Sequence, residues 1–426
     1  MTTDLGPWVG VLDLDQSEGE TAGFAGLASA GYAEARLLVR IHGAPVGHVS
    51  IPVQPENSLD SRARATAVAE LADMLRLHES WDLEFDKMAG RAEWAARLAC
   101  PQRSVLKSGA GISVIICTRD RPVLLADCLI ALQQVNYHPI EFVVVDNAPS
   151  DDATRNVVAE FAATDPRIRY SCEPRPGLSR ARNHGIKVAQ FDVLAFTDDD
   201  VIVDPAWPAA LVAGFVSDPD AVCVTGLVAT RSLDAAAERY FDSRYSWGEA
   251  FQPRRYDLAE HRDQSRLYPF TAGIFGVGAN FAIRRDVVAR LGGFDALLGA
   301  GAPGRGGEDL DMFVRIILTG HRICYAPAAL AWHRHRSSNQ ALAHQVFSYG
   351  WGLGAYLAKR LRTGEMSIAF LLRATGYSAV IFARMRRASE VSRLTTRGKR
   401  LALSEMLGVF AGALCYYRVA WRKREQ

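Results

Sequence analysis

The sequence predicts an α/β protein built on a mainly parallel sheet. Three observations lead there: short apolar runs alternate with amphipathic helical stretches from Gly111 to about Arg336, polar residues collect where those runs end, and the segments on either side follow other patterns. At 426 residues the chain exceeds the roughly 100–200 of one domain. It divides into a small α+β accessory module at 1–108, the α/β domain at 109–340 and a basic helical extension at 341–426. With 49% hydrophobic and 23% charged residues it is a folding chain, not a disordered one. Its 49 basic and 47 acidic residues nearly cancel, and no nucleic-acid partner is expected.

In the first segment, 37–41 and 48–53 read as two strands around a turn. A helix follows over 60–78, with Ala65, Val68, Ala69, Ala72 and Leu75 at helical spacing. Nothing there carries recognisable chemistry, which fits packing or dimerisation. In the α/β segment, 112–117 is an apolar strand and 121–135 a helix with Leu124, Leu125, Cys128, Leu129 and Leu132 on one stripe. A buried strand over 140–145 ends at Asp146-Asn147. The helix 151–162, the short strand 168–170 and the helix 178–189 precede a strand at 193–196, which runs into Thr197-Asp198-Asp199-Asp200. A further short strand is expected at 322–326.

Beyond Gln340 the pattern is helical, with Val346, Tyr349, Leu353, Tyr356 and Leu357 first. From Lys359 onward fifteen basic residues face four glutamates. The apolar stretches 374–383 and 401–417 are shorter than the roughly 20 residues that span a bilayer. Two readings stand here: helices lying on an anionic membrane surface, or an ordinary helical cap. The seven cysteines are scattered singly, as expected of reduced thiols, and no secretory signal is read at the start. The expected location is the cytoplasm, at the inner face of the plasma membrane if the helices touch lipid.

Three acidic or imidazole groups carry the chemistry. Asp198-Asp199-Asp200 closes an apolar strand, where adjacent carboxylates repel unless a cation holds them; Mg²⁺ or Mn²⁺ shared with a diphosphate would do so. A solvated loop or helix cap would also accommodate a lone acidic triplet. Glu308-Asp309-Leu310-Asp311 follows the glycine-rich run 299–307 and opens a helix reaching Leu318. Trp332-His333-Arg334-His335-Arg336 offers an imidazole to a metal and guanidiniums to phosphate.

Together these residues resemble family 2 glycosyltransferases of the inverting, GT-A type. The resemblance covers about Ile112 to Arg336 and rests on the order of several pieces: Val114–Arg121, Val143–Asn147, Gly177–Gly185, Phe196–Asp200, Gly278–Arg285, Gly292–Asp295 and Gly307–Asp311. It implies a nucleotide-sugar donor, a divalent metal (Mn²⁺ or Mg²⁺) and a glycan or lipid-linked acceptor. Thr118, Arg119 and Asp146 would line the nucleobase pocket. Arg182 and Asn183 would lie along the nucleotide, with Asp198 reaching the ribose and Asp199 beside it. Asp200 would bind the metal, joined by Asp198 and His333. Glu308 and Asp309 match the acidic pair near the acceptor, and the aspartate would be the general base. Two departures stand out: the loop before Glu308 lacks the tryptophan some relatives carry, and His335 competes with His333.

On this reading Asp309 takes the acceptor proton as the oxygen attacks the anomeric carbon from the face opposite the leaving group, while 299–307 closes out water. The alternatives are a nucleotidyltransferase, which would need a basic glycine-rich loop where Thr118-Arg119-Asp120-Arg121-Pro122 stands, or an inactive sugar-nucleotide-binding protein. Acceptor choice is expected to reside in 240–275, with Trp247, Arg254, Arg255 and Tyr268.

Overall fold

The computed structural model describes residues 5–16, 24, 26–54, 59–76, 109–245, 247–372 and 396–422. The end of the expected helix at His78, Cys100, the boundary at 108 and the apolar stretch 374–383 lie outside them.

The N-terminal hairpin is longer than its apolar pattern suggests. β2 (Glu34–Ile41) and β3 (Ala44–Pro52) pair antiparallel, and β1 (Trp8–Asp13) adds to β2 in parallel. The sequence reading missed β1, because a parallel edge strand is defined by a distant partner and not by a local turn. The helix α1 (Leu59–Glu70) covers this sheet, with Leu12, Leu37, Val39, Val49, Ala63 and Ala67 forming its core. Polar bonds join the module to the rest of the chain. Arg36 Nη1 donates to Asp242 at 2.5 Å, Arg40 Nη1 to Asp204 at 2.5 Å, and Tyr32 Oη to Asp234 at 2.9 Å.

The second sheet begins with β4 (Ile112–Thr118), which is buried at every position, as an interior parallel strand must be. α2 (Pro122–Gln133), β5 (Ile140–Asn147), α3 (Ala153–Ala162), β6 (Ile168–Glu173), α4 (Leu178–Val188) and β7 (Val193–Asp198) complete a βαβ series, so β6, β5, β4 and β7 lie side by side in parallel. Next come β8 (Val201–Val203), α5 (Trp207–Ser217), β9 (Ala221–Thr230), α6 (Ala236–Tyr245), β10 (Arg254–Tyr256), β11 (Asn280–Arg284), α7 (Arg285–Arg290), α8 (Glu308–Leu318) and β12 (Arg322–His333). The order across the sheet is β10-β12-β9-β11-β7-β4-β5-β6, with β8 on the end of β12. β8, β10 and β11 run against the others, so the sheet is mixed and mainly parallel. This is the expected α/β fold on a mainly parallel sheet.

Apolar side chains fill both faces. Leu125, Leu129, Trp207 and Leu211 pack on one, and Ile115, Phe196, Phe281, Phe313 and Tyr356 on the other. At the centre Trp207 Nε1 donates to Asn280 Oδ1 at 2.7 Å, while Asn280 Nδ2 donates to the Leu227 and Ala329 carbonyls, so a buried amide is fully paired. β12 runs to His333, well past the expected end at 326. Pro327 has no N–H to offer, and a register shift between Ala326 and Leu330 carries the strand past it.

Two long helices complete the chain, α9 (Asn339–Arg362) and α10 (Thr396–Arg422). They cross at glycines: a Cβ on Gly350 or Gly354 would lie 2.0 or 1.9 Å from the carbonyl oxygen of Glu405 or Val409. From the other side, a Cβ on Gly408 or Gly412 would lie 2.3 or 1.9 Å from the Phe347 or Trp351 carbonyl oxygen. No helix among the described residues is long and apolar enough to cross a membrane. All six described cysteines are unpaired.

Candidate active site

The polar residues gather where the parallel strands end because the register aligns them. Thr118 stands opposite Asp146, and Cys117 opposite Asp198. β8 then folds back against β12, with Val201 opposite His333, and the Arg334 N–H donates to the Asp200 carbonyl at 3.2 Å. Asp200 and His333 thus become neighbours, with Asp200 Oδ1 3.5 Å from His333 Nε2.

These residues form one wall of a cavity of about 1120 Å³, which suits a ligand the size of a nucleotide sugar. Thr118, Arg119, Asp198, Asp199, Asp200 and His333 line it, together with Arg121, Ala300–Ala302, Arg305, Arg336 and the first turns of α9. Asp146, Arg182, Asn183, Glu308 and Asp309 are not among the lining residues.

The three aspartates differ in role. Asp199 turns inward, 3% exposed; its Oδ2 accepts from Thr118 Oγ1 at 2.8 Å and its Oδ1 from Arg121 Nη1 at 2.8 Å. Both of its oxygens are taken by protein, so it ties β4 to β7 and has little left for a nucleotide. Asp200 Oδ2 meets Arg121 at 3.3 Å and Arg336 at 3.4 Å, leaving Oδ1 toward His333. Burial raises the Asp198 carboxyl above its usual range, against the pull of Arg182.

Arg182 is fully buried behind this wall. It donates to Glu308 Oε1 at 2.9 Å and to the Gly278 carbonyl at 2.9 Å, and approaches Asp198 Oδ1 at 3.4 Å. It therefore braces the acidic groups from beneath instead of lying along the cavity. Asn183 is also turned away: its amide donates to the Phe294 carbonyl and its oxygen accepts from the Phe294 N–H, both at 2.8 Å.

At the start of α8, Gly307 adopts the left-handed region at φ 79°, where a side chain would also strike the Gly352 carbonyl. The turn buries Glu308 against Arg182 and leaves Asp309 half-buried. Burial, then the adjacent Asp309, holds the Glu308 carboxyl well above the usual range. Asp309 is oriented by two backbone donors, Gly278 N to Oδ2 and Leu310 N to Oδ1, each at 2.8 Å.

Asp146 is completely buried. Tyr170 donates to its Oδ2 at 3.0 Å, while Oδ1 has no hydrogen-bond partner. A buried oxygen without a donor is costly, and an N–H from a ligand would satisfy it. The two histidines of the WHRHR run also part company. His333 faces the cavity, while His335 packs beneath it against Phe241 and Trp247, its Nε2 2.9 Å from Thr230 Oγ1. Burial lowers both imidazoles, His335 to about 3, so both are neutral near pH 7.

Among the described residues, no three His, Cys, Asp or Glu side chains form a ready-made metal cage. The donor set fits a different arrangement, one carboxylate and one imidazole on a wall that also carries Arg119, Arg121, Arg305 and Arg336. That suits a hard cation which keeps water and substrate phosphate as its remaining ligands.

The sequence reading missed the contribution of α9. Ser338 caps it, accepting from the Ala341 N–H at 3.2 Å, and Gln340, His344 and Ser348 face the cavity. Their spacing of four was a legible signal beside the apolar stripe. In 240–275, Trp247 packs on His333, the Tyr268 hydroxyl donates to the Asp257 carbonyl and Arg255 pairs with Asp218, so each has a structural partner.

Residues 113–292 match the family model described as Glycosyl transferase family 2. A glucosyl-dolichyl phosphate glucuronosyltransferase of Haloferax volcanii is 26% identical over 247 residues, covering 56% of this chain and 75% of the relative. A pre-mycofactocin glycosyltransferase of Mycobacterium tuberculosis is 29% identical over 246 residues, covering 56% of this chain and 48% of the relative. The chain thus spans about half the length of the mycobacterial protein. Among solved structures, a mannosyltransferase from Pyrobaculum calidifontis in complex with GDP-Man and Mn²⁺ aligns with a TM-score of 0.49 and 17% identity, over 73% of this chain and 88% of that one.

Proposed function

We propose, from the premise that this chain is a family 2 glycosyltransferase of GT-A fold, that it moves a sugar from a nucleotide diphosphate donor to a hydroxyl of a glycan or lipid-linked saccharide, inverting the anomeric carbon. The observation that carries this reading is the Asp200–His333 pair on a cavity wall that also bears Arg119, Arg121, Arg305 and Arg336. Asp200 and His333, with Asp198 beside them, would hold Mn²⁺ or Mg²⁺. Bound there, the cation supplies electrostatic stabilisation to the departing nucleoside diphosphate.

The protein's own groups account for the rest. The buried, unpaired Oδ1 of Asp146 would accept a nucleobase N–H, and Thr118 stands opposite it at the same end of the sheet. The arginines neutralise phosphate without a proton to lose. Asp309 serves as general base: its carboxylate is aimed by Gly278 and Leu310 and is partly accessible, whereas Glu308 is committed to Arg182. The run 299–307 borders the cavity through Ala300–Ala302 and Arg305, where it excludes water from the donor. Arg182, Asn183 and Asp199 hold these groups in place from behind.

Incubation with a panel of sugar nucleotides and Mn²⁺ tests the reading. Slow release of sugar and nucleoside diphosphate from one donor is the expected result. Formation of nucleoside triphosphate and sugar 1-phosphate when pyrophosphate is added would indicate a nucleotidyltransferase, and tight nucleotide binding without any turnover an inactive binding protein; either outcome sinks the proposal.

A further inference from the structure

A chain of polar contacts leads away from His333 on the side opposite the cavity, and the transfer reaction makes no use of it. His333 Nδ1 faces His335 Nδ1 at 3.1 Å, and His335 Nε2 lies 2.9 Å from Thr230 Oγ1. The Thr230 hydroxyl donates to Asp242 Oδ1, and Asp242 Oδ2 accepts from Arg36 Nη1 at 2.5 Å. The chain thus connects the cavity wall to β2 of the N-terminal sheet.

Its hydrogens can be placed by elimination. A carboxylate only accepts, so the Thr230 hydrogen points to Asp242, and the Thr230 oxygen must accept from His335 Nε2–H. A neutral imidazole protonated at Nε2 is bare at Nδ1, so His333 supplies the hydrogen between the two rings from its own Nδ1. His333 Nε2 is then left with its lone pair toward Asp200.

We propose that Asp242, held by Arg36, is a positioning residue that fixes His333 in the tautomer whose Nε2 lone pair faces the cavity, so that docking of the N-terminal module sets the divalent-cation affinity of the transferase site. The affinity half rests on the metal reading above; the tautomer half does not. A ligating histidine depends on such an outer partner, whose loss weakens metal binding roughly 10- to 100-fold. Asp242→Asn is the informative change, because its amide can donate to Thr230 and so reverse every hydrogen along the chain. Thr230→Val cuts the chain, and Thr230→Ser restores it. Tyr32→Phe is the control: it removes another hydrogen bond of the same module, to Asp234, without touching any member of the chain.

The measurement is ¹⁵N NMR of labelled histidine in the full, metal-free chain, followed by Mn²⁺ titration monitored by electron paramagnetic resonance. The expected result is Nδ1–H at His333 in the wild type, Thr230→Ser and Tyr32→Phe, and Nε2–H in Asp242→Asn. Mn²⁺ binding should weaken roughly 10- to 100-fold in Asp242→Asn and Thr230→Val, and by a smaller factor in Arg36→Met. A wild-type His333 carrying Nε2–H, or a tautomer and Mn²⁺ affinity unmoved by Asp242→Asn and Thr230→Val together, would overturn the proposal. A tautomer that responds in a protein that binds no Mn²⁺ supports the positioning role and removes the metal reading alone.

Discussion

Asp200 is the carboxylate with most to lose, since Arg121, Arg336 and His333 all converge on it. Asp200→Asn keeps the shape but offers a neutral amide to a hard cation, so kcat/KM should fall by roughly 10²–10³-fold and Mn²⁺-dependent nucleotide binding should weaken. Near-normal turnover with unchanged metal dependence would refute the assignment. The adjacent acids of α8 should separate differently. Asp309→Asn should lose kcat while nucleoside diphosphate binding, followed by calorimetry, stays intact, because the base acts on the acceptor. Glu308→Gln should act mainly on stability, since it changes the buried hydrogen-bond acceptor of Arg182. The pH response gives a further check. Burial raises the folded Glu308 carboxyl above its unfolded value, so its contribution to stability is full below the ordinary glutamate range and is lost as pH rises through the folded value. The Glu308 contribution should therefore fall from about pH 5 to about pH 8, by at most ~1.4 kcal/mol per pH unit, and it is read as the change across that window in the stability difference between the wild type and Glu308→Gln, which cancels the opposing slope of the lowered histidines. At this scale the sequence was legible wherever a residue ends a parallel strand, as Thr118, Asp146 and Asp198 do. It was not legible for Asp199 or Asn183, because a motif fixes position along the chain and not the direction a side chain takes.

The α9–α10 crossing decides how the cavity is closed at the level of elements. Four glycines let the backbones meet, and α9 carries Gln340, His344, Ser348 and Tyr349 into the cavity, while Trp351 Nε1 donates to the Pro303 carbonyl at 2.9 Å. A side chain at Gly354 would meet the Val409 carbonyl at 1.9 Å, so Gly354→Val must push the helices apart, at a cost of about 1–3 kcal/mol or more. The expected outcome is a lower thermal midpoint together with a raised donor KM, measured by scanning calorimetry and steady-state kinetics. A lower midpoint with an unchanged KM would mean that α9 lines the cavity without shaping it. Local pattern disclosed the βαβ series because period and burial agree there, with β4 apolar and the helix after it striped. It did not disclose β1, the extension of β12 past Pro327, or the place of α9 in the site. Each of those depends on a partner far away in sequence, and periodicity carries no information about partners.

Across the whole molecule, the surface of α10 bears on where the acceptor comes from. Leu403, Met406, Leu407, Phe410, Leu414 and Tyr417 are 42–71% exposed and recur every three or four residues, so they form one stripe along a helix of 27 residues. Exposed Lys399, Arg400, Arg418 and Arg422 flank it. A continuous apolar stripe of this kind is rare on a surface facing only water, and basic borders match anionic headgroups, at about 1 kcal/mol for each cation near the surface. The same helix reaches the loop beside the cavity, where Cys415 Sγ lies 3.6 Å from the Pro303 carbonyl and Arg305 stacks 4.3 Å over Trp351. Lipid under α10 would thus bring a lipid-linked acceptor to the loop that precedes Asp309. The full chain should sediment with vesicles containing phosphatidylglycerol, bind neutral phosphatidylcholine vesicles much less, and be released by salt. Phe410→Asp with Leu414→Asp should abolish sedimentation and slow transfer to a vesicle-borne acceptor, while donor hydrolysis in solution stays at the wild-type rate. If the double variant sediments like the wild type, lipid does not cover the stripe. If the wild type instead forms a dimer that this variant dissolves, the occupant is a second copy of the chain, and the acceptor has no need of a membrane.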